Sequence, residues 1–364
     1  MDTATQSIPS WYWAVCAFVL GCVVGSFLNV CIYRLPRNES LWWPPSHCPH
    51  CHHPIPWYLN IPILSWLILR GRCRWCGAKI SVRYLLVEFL TGLVFLGLWL
   101  RFHTVSVWVV GAYALFAAIL IAASFIDLEH YIIPDGLTLG GMVLGIFLSI
   151  FIPQLHGATS PAISGTRSLV GAGLGMGLLY LVALLGRRLF GRQTIELDEP
   201  IWFTLDREKI VTDEEEIPWE ELLYRPKDTV KLEGIRVELP DRCVWQVPVI
   251  RTQTELQVGE EVFPAKESPI VRVEAQKVIL PREAMGLGDV KFLGAIGAFL
   301  GWQGVIFTVA VSAVLGTVVT LLFMALGKHD RSHLIPYGPY LAVAALLWLF
   351  RGPELLRWWL QLGT

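Results

Sequence analysis

Apolar residues gather into eight blocks, near 11–33, 82–100, 105–126, 137–153, 167–187, 284–302, 304–327 and 335–351. Each is close to the roughly 20 residues that carry a helix across ~30 Å of hydrocarbon. The fourth and sixth blocks are the weakest, being short or interrupted by glycine. Between the blocks, polar positions concentrate in two places, 34–81 and 192–283. In the second the pattern shortens to alternating runs at 230–239 and 269–280, the period of strands, with one short helix near 219–223. The pattern predicts an all-α polytopic membrane protein of about eight transmembrane helices, interrupted by an inserted strand-rich soluble domain. It divides the chain into an N-terminal membrane region (11–100) with a long loop (34–81), a segment at 105–187, the insert (192–283) and a closing segment (284–356).

Composition agrees. A mean hydropathy of +0.53 with only 16% charged residues excludes a single large soluble domain. The net charge of −1 hides an uneven distribution, since residues 192–283 hold 21 of the 30 acids and 13 of the 29 bases. The remaining bases orient the chain. Arg34, Arg37, Arg70, Arg72, Arg74, Lys79 and Arg83 crowd the first long loop, and Arg187, Arg188, Lys291, Lys328 and Arg331 fall on the same side. Arg101, Arg167, Arg351 and Arg357 fall on the other. The positive-inside rule then makes the first loop and the insert cytoplasmic and both termini external. Arg34 is the first basic residue and follows the first apolar block, so that block reads as a retained helix rather than a cleaved signal. The acidic excess of the insert, with its run at Asp213 to Glu216, is most simply a solvated surface; the sharper reading is attraction of basic substrate segments. The expected partners are the lipid bilayer and a protein substrate, with no nucleic acid.

Two acids stand at the ends of apolar blocks. Asp289, framed by Gly286 and Gly288 and followed by Lys291, opens the sixth block, and Asp127 closes the third. Ionisable groups against hydrocarbon are expensive and mark function by default. If packing brings the two together they can share one proton and divide the labour of general base and general acid, the chemistry of aspartic proteolysis. Two readings compete on the residues alone: membrane-edge polar groups, with Lys291 pairing to Asp289, and a proton-coupled transporter. Asp135, between Pro134 and Gly136, reads as a helix N-cap. Glu88 reads as a buried, hydrogen-bonded acid, with an arginine partner, a proton-carrying role or a ligand contact as alternatives.

The loop 34–81 carries Cys48-Pro-His-Cys51 and Cys73-Arg-Trp-Cys76, two CxxC knuckles separated by 21 residues, a spacing close to that of zinc ribbons. Four thiolates close a tetrahedral structural site, so the loop is expected to be zinc-ribbon-like, with Cys48, Cys51, Cys73 and Cys76 as ligands. His47, His50, His52 and His53 crowd the first knuckle and offer a minor alternative ligand. Gly21, Gly25, Ser26 and Asn29 give the first block a small-residue face for close helix packing.

Taken together and in order, GSFLNVCIYRLP at 25–36, the two knuckles, RYLLVEFLTGL at 83–93, FIDLEHYIIPD at 125–135, GLGDVK at 286–291 and PYGP at 336–339 closely resemble the bifunctional prepilin peptidases. The resemblance implies that Asp127 and Asp289 are the catalytic aspartates of a GxGD intramembrane protease, supported by Gly286, Gly288 and Lys291. It implies a prepilin or pseudopilin substrate with a short basic leader, cut at the cytoplasmic face of the inner membrane. It also implies methylation of the new N-terminus from S-adenosylmethionine, and a zinc site. No glycine-rich nucleotide loop follows a strand, so methyl transfer rests on the resemblance alone. The chain departs from the family's usual pattern in the some 90 residues inserted directly before Asp289.

Overall fold

The computed structural model describes residues 10–212, 216–223, 228–281, 285–326 and 336–362. Most of the acidic run (Asp213, Glu214, Glu215), Ala284, and Lys328 and Arg331 of the last loop lie outside the described residues. The chain divides into two units, Met1–Tyr180 with Gly286–Thr364, and Leu181–Met285.

The long helices are α1 (Ser10–Arg34), α3 (Val82–Phe102), α4 (Val107–His130), α5 (Asp135–Phe151), α6 (Pro161–Phe190), α8 (Leu287–Ala325) and α9 (Gly338–Leu362). A short α2 (Leu64–Ile68) lies in the first loop. Serines start two of them: Ser81 and Ser106 accept hydrogen bonds from the N–H groups of Arg83 and Trp108, at 3.2 Å each. Among the described residues five helices are long and apolar enough to cross a membrane, whereas α5 and the apolar part of α9 are shorter. The count of eight crossings is therefore not reached on length and composition. Two of the expected crossings, 284–302 and 304–327, form the single element α8, broken at Gly301 (φ 72°, ψ 179°). The break folds the chain back, because a Cβ at Gly297 would lie 2.8 Å from Val305 Cγ2, a distance a straight helix does not allow between residues eight apart.

The small-residue face of α1 packs on α3. A Cβ at Gly21 would fall 2.7 Å from Thr91 O, and one at Gly25 2.7 Å from Glu88 Cα, so only glycine permits this approach. Asn29 Nδ2 completes the contact by donating to Tyr84 O at 3.1 Å. α4 is the most enclosed helix, with Phe116 stacked on Phe299 of α8 at 4.5 Å.

The second unit contains one eight-stranded antiparallel sheet ordered β3-β2-β1-β8-β4-β5-β6-β7. Its strands are β1 (Arg192–Leu205), β2 (Lys209–Val211), β3 (Glu216–Pro218), β4 (Val230–Glu238), β5 (Cys243–Arg251), β6 (Glu255–Val258), β7 (Glu261–Pro264) and β8 (Val271–Pro281), with α7 (Trp219–Leu222) after β3. Alternate residues build the core, including Leu205, Val230, Leu232, Val237, Val249, Leu256, Val271 and Val273. The alternating runs expected at 230–239 and 269–280 are β4 and β8, and the short helix expected near 219–223 is α7. The first and last strands pair with each other, from Arg192 opposite Pro281 to Leu205 opposite Val271, so the segment leaves and returns at one place.

Candidate functional site

Asp127 lies in the last turn of α4, three residues before the helix ends at His130, and it is 5% exposed. Tyr131 then takes a left-handed conformation (φ 56°, ψ 28°), with its N–H bonded to the Asp127 carbonyl at 2.9 Å. The carboxylate points to the start of α9, where the Gly338 N–H donates to Asp127 Oδ2 at 2.9 Å. A Cβ at Gly338 would sit 2.8 Å from that oxygen, so the glycine of the PYGP turn is required by the site.

Asp289 occupies the first turn of α8, where the helix dipole favours negative charge. It and Asp127, far apart in sequence, act on one another electrostatically, and Asp289 Oδ1 is buried without a hydrogen-bond partner. Ile133, between α4 and α5, packs against both segments: Cβ atoms placed on Gly288 and Gly338 would meet it at 3.4 and 3.1 Å. Neither glycine of the Gly-x-Gly-Asp motif is forced by backbone geometry. Gly286 has φ −67°, and a Cβ there would stand 3.6 Å from Asp289 Oδ2 with nothing else close but the Gly288 nitrogen. What its missing side chain leaves is open space in front of the acid.

Lys291 does not pair with Asp289. Its Nζ donates to Asp135 Oδ1 at 2.7 Å, joining the N-terminal parts of α8 and α5. Asp135 is itself the first residue of α5, the N-cap position falling on Pro134, so its expected role as a cap is replaced by this ion pair. Glu88 is buried and takes the Ile63 N–H at 2.7 Å, while Arg83, the nearest arginine in sequence, pairs with Glu129. Gly338 is the site residue that sequence reasoning left unassigned; its signal was the proline and glycine punctuation of the last loop.

The four knuckle cysteines converge, with all their sulfurs within 4.8 Å of one another. Cys48 and Cys76 are 3.8 Å apart, and Cys51 and Cys73 4.0 Å. Tetrahedral zinc with ~2.3 Å bonds to sulfur requires an edge of about 3.8 Å, so this donor set fits zinc. The two knuckles share one construction. In each, the first cysteine's carbonyl accepts the N–H of a residue with positive φ four places on, His52 at 2.8 Å and Gly77 at 3.0 Å. The first cysteine's own N–H donates to the carbonyl of His53 (3.1 Å) or Ala78 (2.9 Å). Backbone N–H groups of Cys76 and Trp75 favour the thiolate form of Cys73. No histidine joins the cluster among the described residues; His53 instead packs on Trp75 with ring centres 3.9 Å apart.

Apolar helices long enough to cross a membrane, with one acid in the last turn of α4, another in the first turn of α8, and a separate four-cysteine cluster, define the class of helical membrane proteins with acids at helix ends. A family model for the bacterial peptidase A24 N-terminal domain matches residues 19–102, and that of the type IV leader peptidase family matches 114–195 and 269–321. The chain belongs to this leader peptidase family and is an inner-membrane peptidase. The prepilin leader peptidase/N-methyltransferase of Pectobacterium carotovorum subsp. carotovorum is 30% identical, covering 94% of each chain. The enzyme of the same name from Aeromonas hydrophila is 29% identical over 96% of this chain and 94% of its own. That from Myxococcus xanthus is 45% identical, over 51% of this chain and 60% of the relative's length. No solved structure matches the chain.

Proposed function

We propose that the protein removes the short basic leader of type IV prepilins or of type II secretion pseudopilins at the cytoplasmic membrane face, with Asp127 and Asp289 as the catalytic pair. The observation that carries this reading is the approach of two helix ends 162 residues apart in the chain, drawn together at Ile133, one bearing Asp127 on the Gly338 N–H and the other Asp289, whose like charge acts on it. That N–H fixes one oxygen of Asp127 and leaves the other free to hold water. The ionised member of the pair takes a proton from the water as its oxygen attacks the scissile carbonyl carbon. The protonated member hydrogen-bonds the carbonyl oxygen, then gives its proton to the amine nitrogen as the C–N bond breaks. The open space at Gly286 admits the extended substrate backbone.

Eight crossings follow if the chain folds back across the membrane at Gly301, and the loop charges then put the cluster, the acid pair and residues 192–283 in the cytoplasm. Residues 11–100, with the cysteine loop, form the methyltransferase part, and 105–187 with 284–356 form the peptidase core. Zinc, held by Cys48, Cys51, Cys73 and Cys76, is structural, because four thiolates leave no open position. S-adenosylmethionine, when bound, supplies a methyl group activated by its sulfonium, and the amine exposed by cleavage accepts it.

Replacing either acid, by Asp127→Asn or Asp289→Asn, should lower leader removal roughly 10³-fold or more in cells expressing a prepilin. Normal processing in either variant would rule out the pair.

A further inference from the structure

A cavity of about 530 Å³ opens between α1 and the loop segment 41–62. Its volume lies within the roughly 300–1,000 Å³ of small-molecule sites. Ser26, Arg34, Trp42, Ser46, Trp57 and Asn60 supply its polar and aromatic lining.

Three observations set it apart from a packing defect. Arg34 is 7% exposed, yet its terminal nitrogens donate to two neutral carbonyls, Ser40 O at 2.8 Å and Pro44 O at 2.6 Å. No carboxylate pairs with it among the described residues. A buried guanidinium without a counter-charge is costly, so this one calls for an anion from outside the chain. Second, Trp42 and Trp57 are 86% and 81% exposed and present indole surface at the cavity wall, with the Tyr58 ring in T-shaped contact with Trp57 at 5.9 Å. Such faces stack on heterocycles and attract cations. Third, the wall ends at a strained residue. Ile63 has φ 64° and ψ −55°, a region that β-branched residues avoid. It is held there by the bond from its N–H to Glu88 at 2.7 Å. The buried acid of α3 thereby fixes the end of this wall.

We propose that this cavity binds S-adenosylmethionine, with Arg34 meeting its carboxylate and Trp42 and Trp57 covering its adenine ring and sulfonium. The assignment rests on the methyltransferase reading above and gives it a location. An anion, a flat heterocycle and a cation in one molecule match the two kinds of group on the walls, the guanidinium for the first and the indole faces for the other two. A phospholipid phosphate would satisfy Arg34 alone and leave the tryptophans as ordinary interfacial anchors.

The test is calorimetric titration of the full-length protein in detergent with S-adenosylhomocysteine, the unreactive product. Wild type should bind saturably, and Arg34→Met and Trp57→Ala should each weaken binding at least tenfold with thermal unfolding unchanged. Trp57 is exposed, so its replacement carries the test if Arg34→Met does not fold. Wild-type affinity in Trp57→Ala overturns the assignment, as does unchanged affinity in Arg34→Met accompanied by loss of co-purifying anionic phospholipid in native mass spectrometry. A wild-type protein that binds no S-adenosylhomocysteine overturns the methyltransferase reading and this site with it.

Discussion

Asp127 is held by a backbone N–H, a contact that no side-chain change at Gly338 removes but that one added methyl group displaces. An alanine Cβ at 2.8 Å from Asp127 Oδ2 must push the carboxylate or the turn aside. A displacement near 1 Å at a reacting group can lower a rate ~10²-fold. Gly338→Ala should therefore reduce kcat for leader cleavage by about that factor while KM changes little, measured on a purified prepilin. In the cysteine cluster each sulfur is needed to close the tetrahedron. Cys73→Ser should lower the zinc content of purified protein below the roughly one equivalent of the wild type, measured by elemental analysis. Unchanged metal in that variant would leave the cluster without its assigned ligand. The spacing of Cys48, Cys51, Cys73 and Cys76 made this cluster legible in the sequence, because CxxC knuckles form from local turns. Gly338 was not legible in the same way, since its importance comes from a contact 211 residues away.

Helices were legible wherever apolar runs are long and unbroken, as in α1, α3 and α4. The extent of α8 was not, because two apolar blocks separated by one glycine read equally well as two helices or as one element with a break. Gly301 decides the matter with φ 72° and ψ 179°, a conformation that is essentially confined to glycine. Gly301→Ala should cost about 1–3 kcal/mol and lower the thermal unfolding midpoint in detergent. An unaltered midpoint would mean that the chain does not turn there. In the sheet, β4 and β8 showed themselves by clean alternation, whereas β5 hid it. All of its first six residues are exposed or half-buried, and Pro248 interrupts the run. Lys291 illustrates a different limit. Its proximity to Asp289 in sequence suggested a pair, but residues two apart on a helix point away from one another, and the charge found Asp135 across a helix contact instead.

The pairing of β1 with β8 explains how a sheet of eight strands enters a helical membrane protein. Its ends lie on neighbouring strands, about 5 Å apart, so a short connection and a whole domain make similar demands on the helices they join. The leader peptidase match reflects this, running to 195 and resuming at 269 on either side of most of the sheet. The break at Gly301 has a consequence of another kind. From Leu287 to that break, α8 offers about 20 Å of helix, and α5, which packs on it, has 17 residues and about 25 Å. Both fall short of a ~30 Å hydrocarbon layer. Lipid beside them must thin to meet them, at a cost that grows with every ångström of mismatch. Liposomes of increasing acyl length should therefore slow leader cleavage as the bilayer thickens, and equal rates across the series would contradict this. On this view the enzyme works in a dimple of its own making, where a substrate helix leaves the oil earlier than it would anywhere else in the membrane.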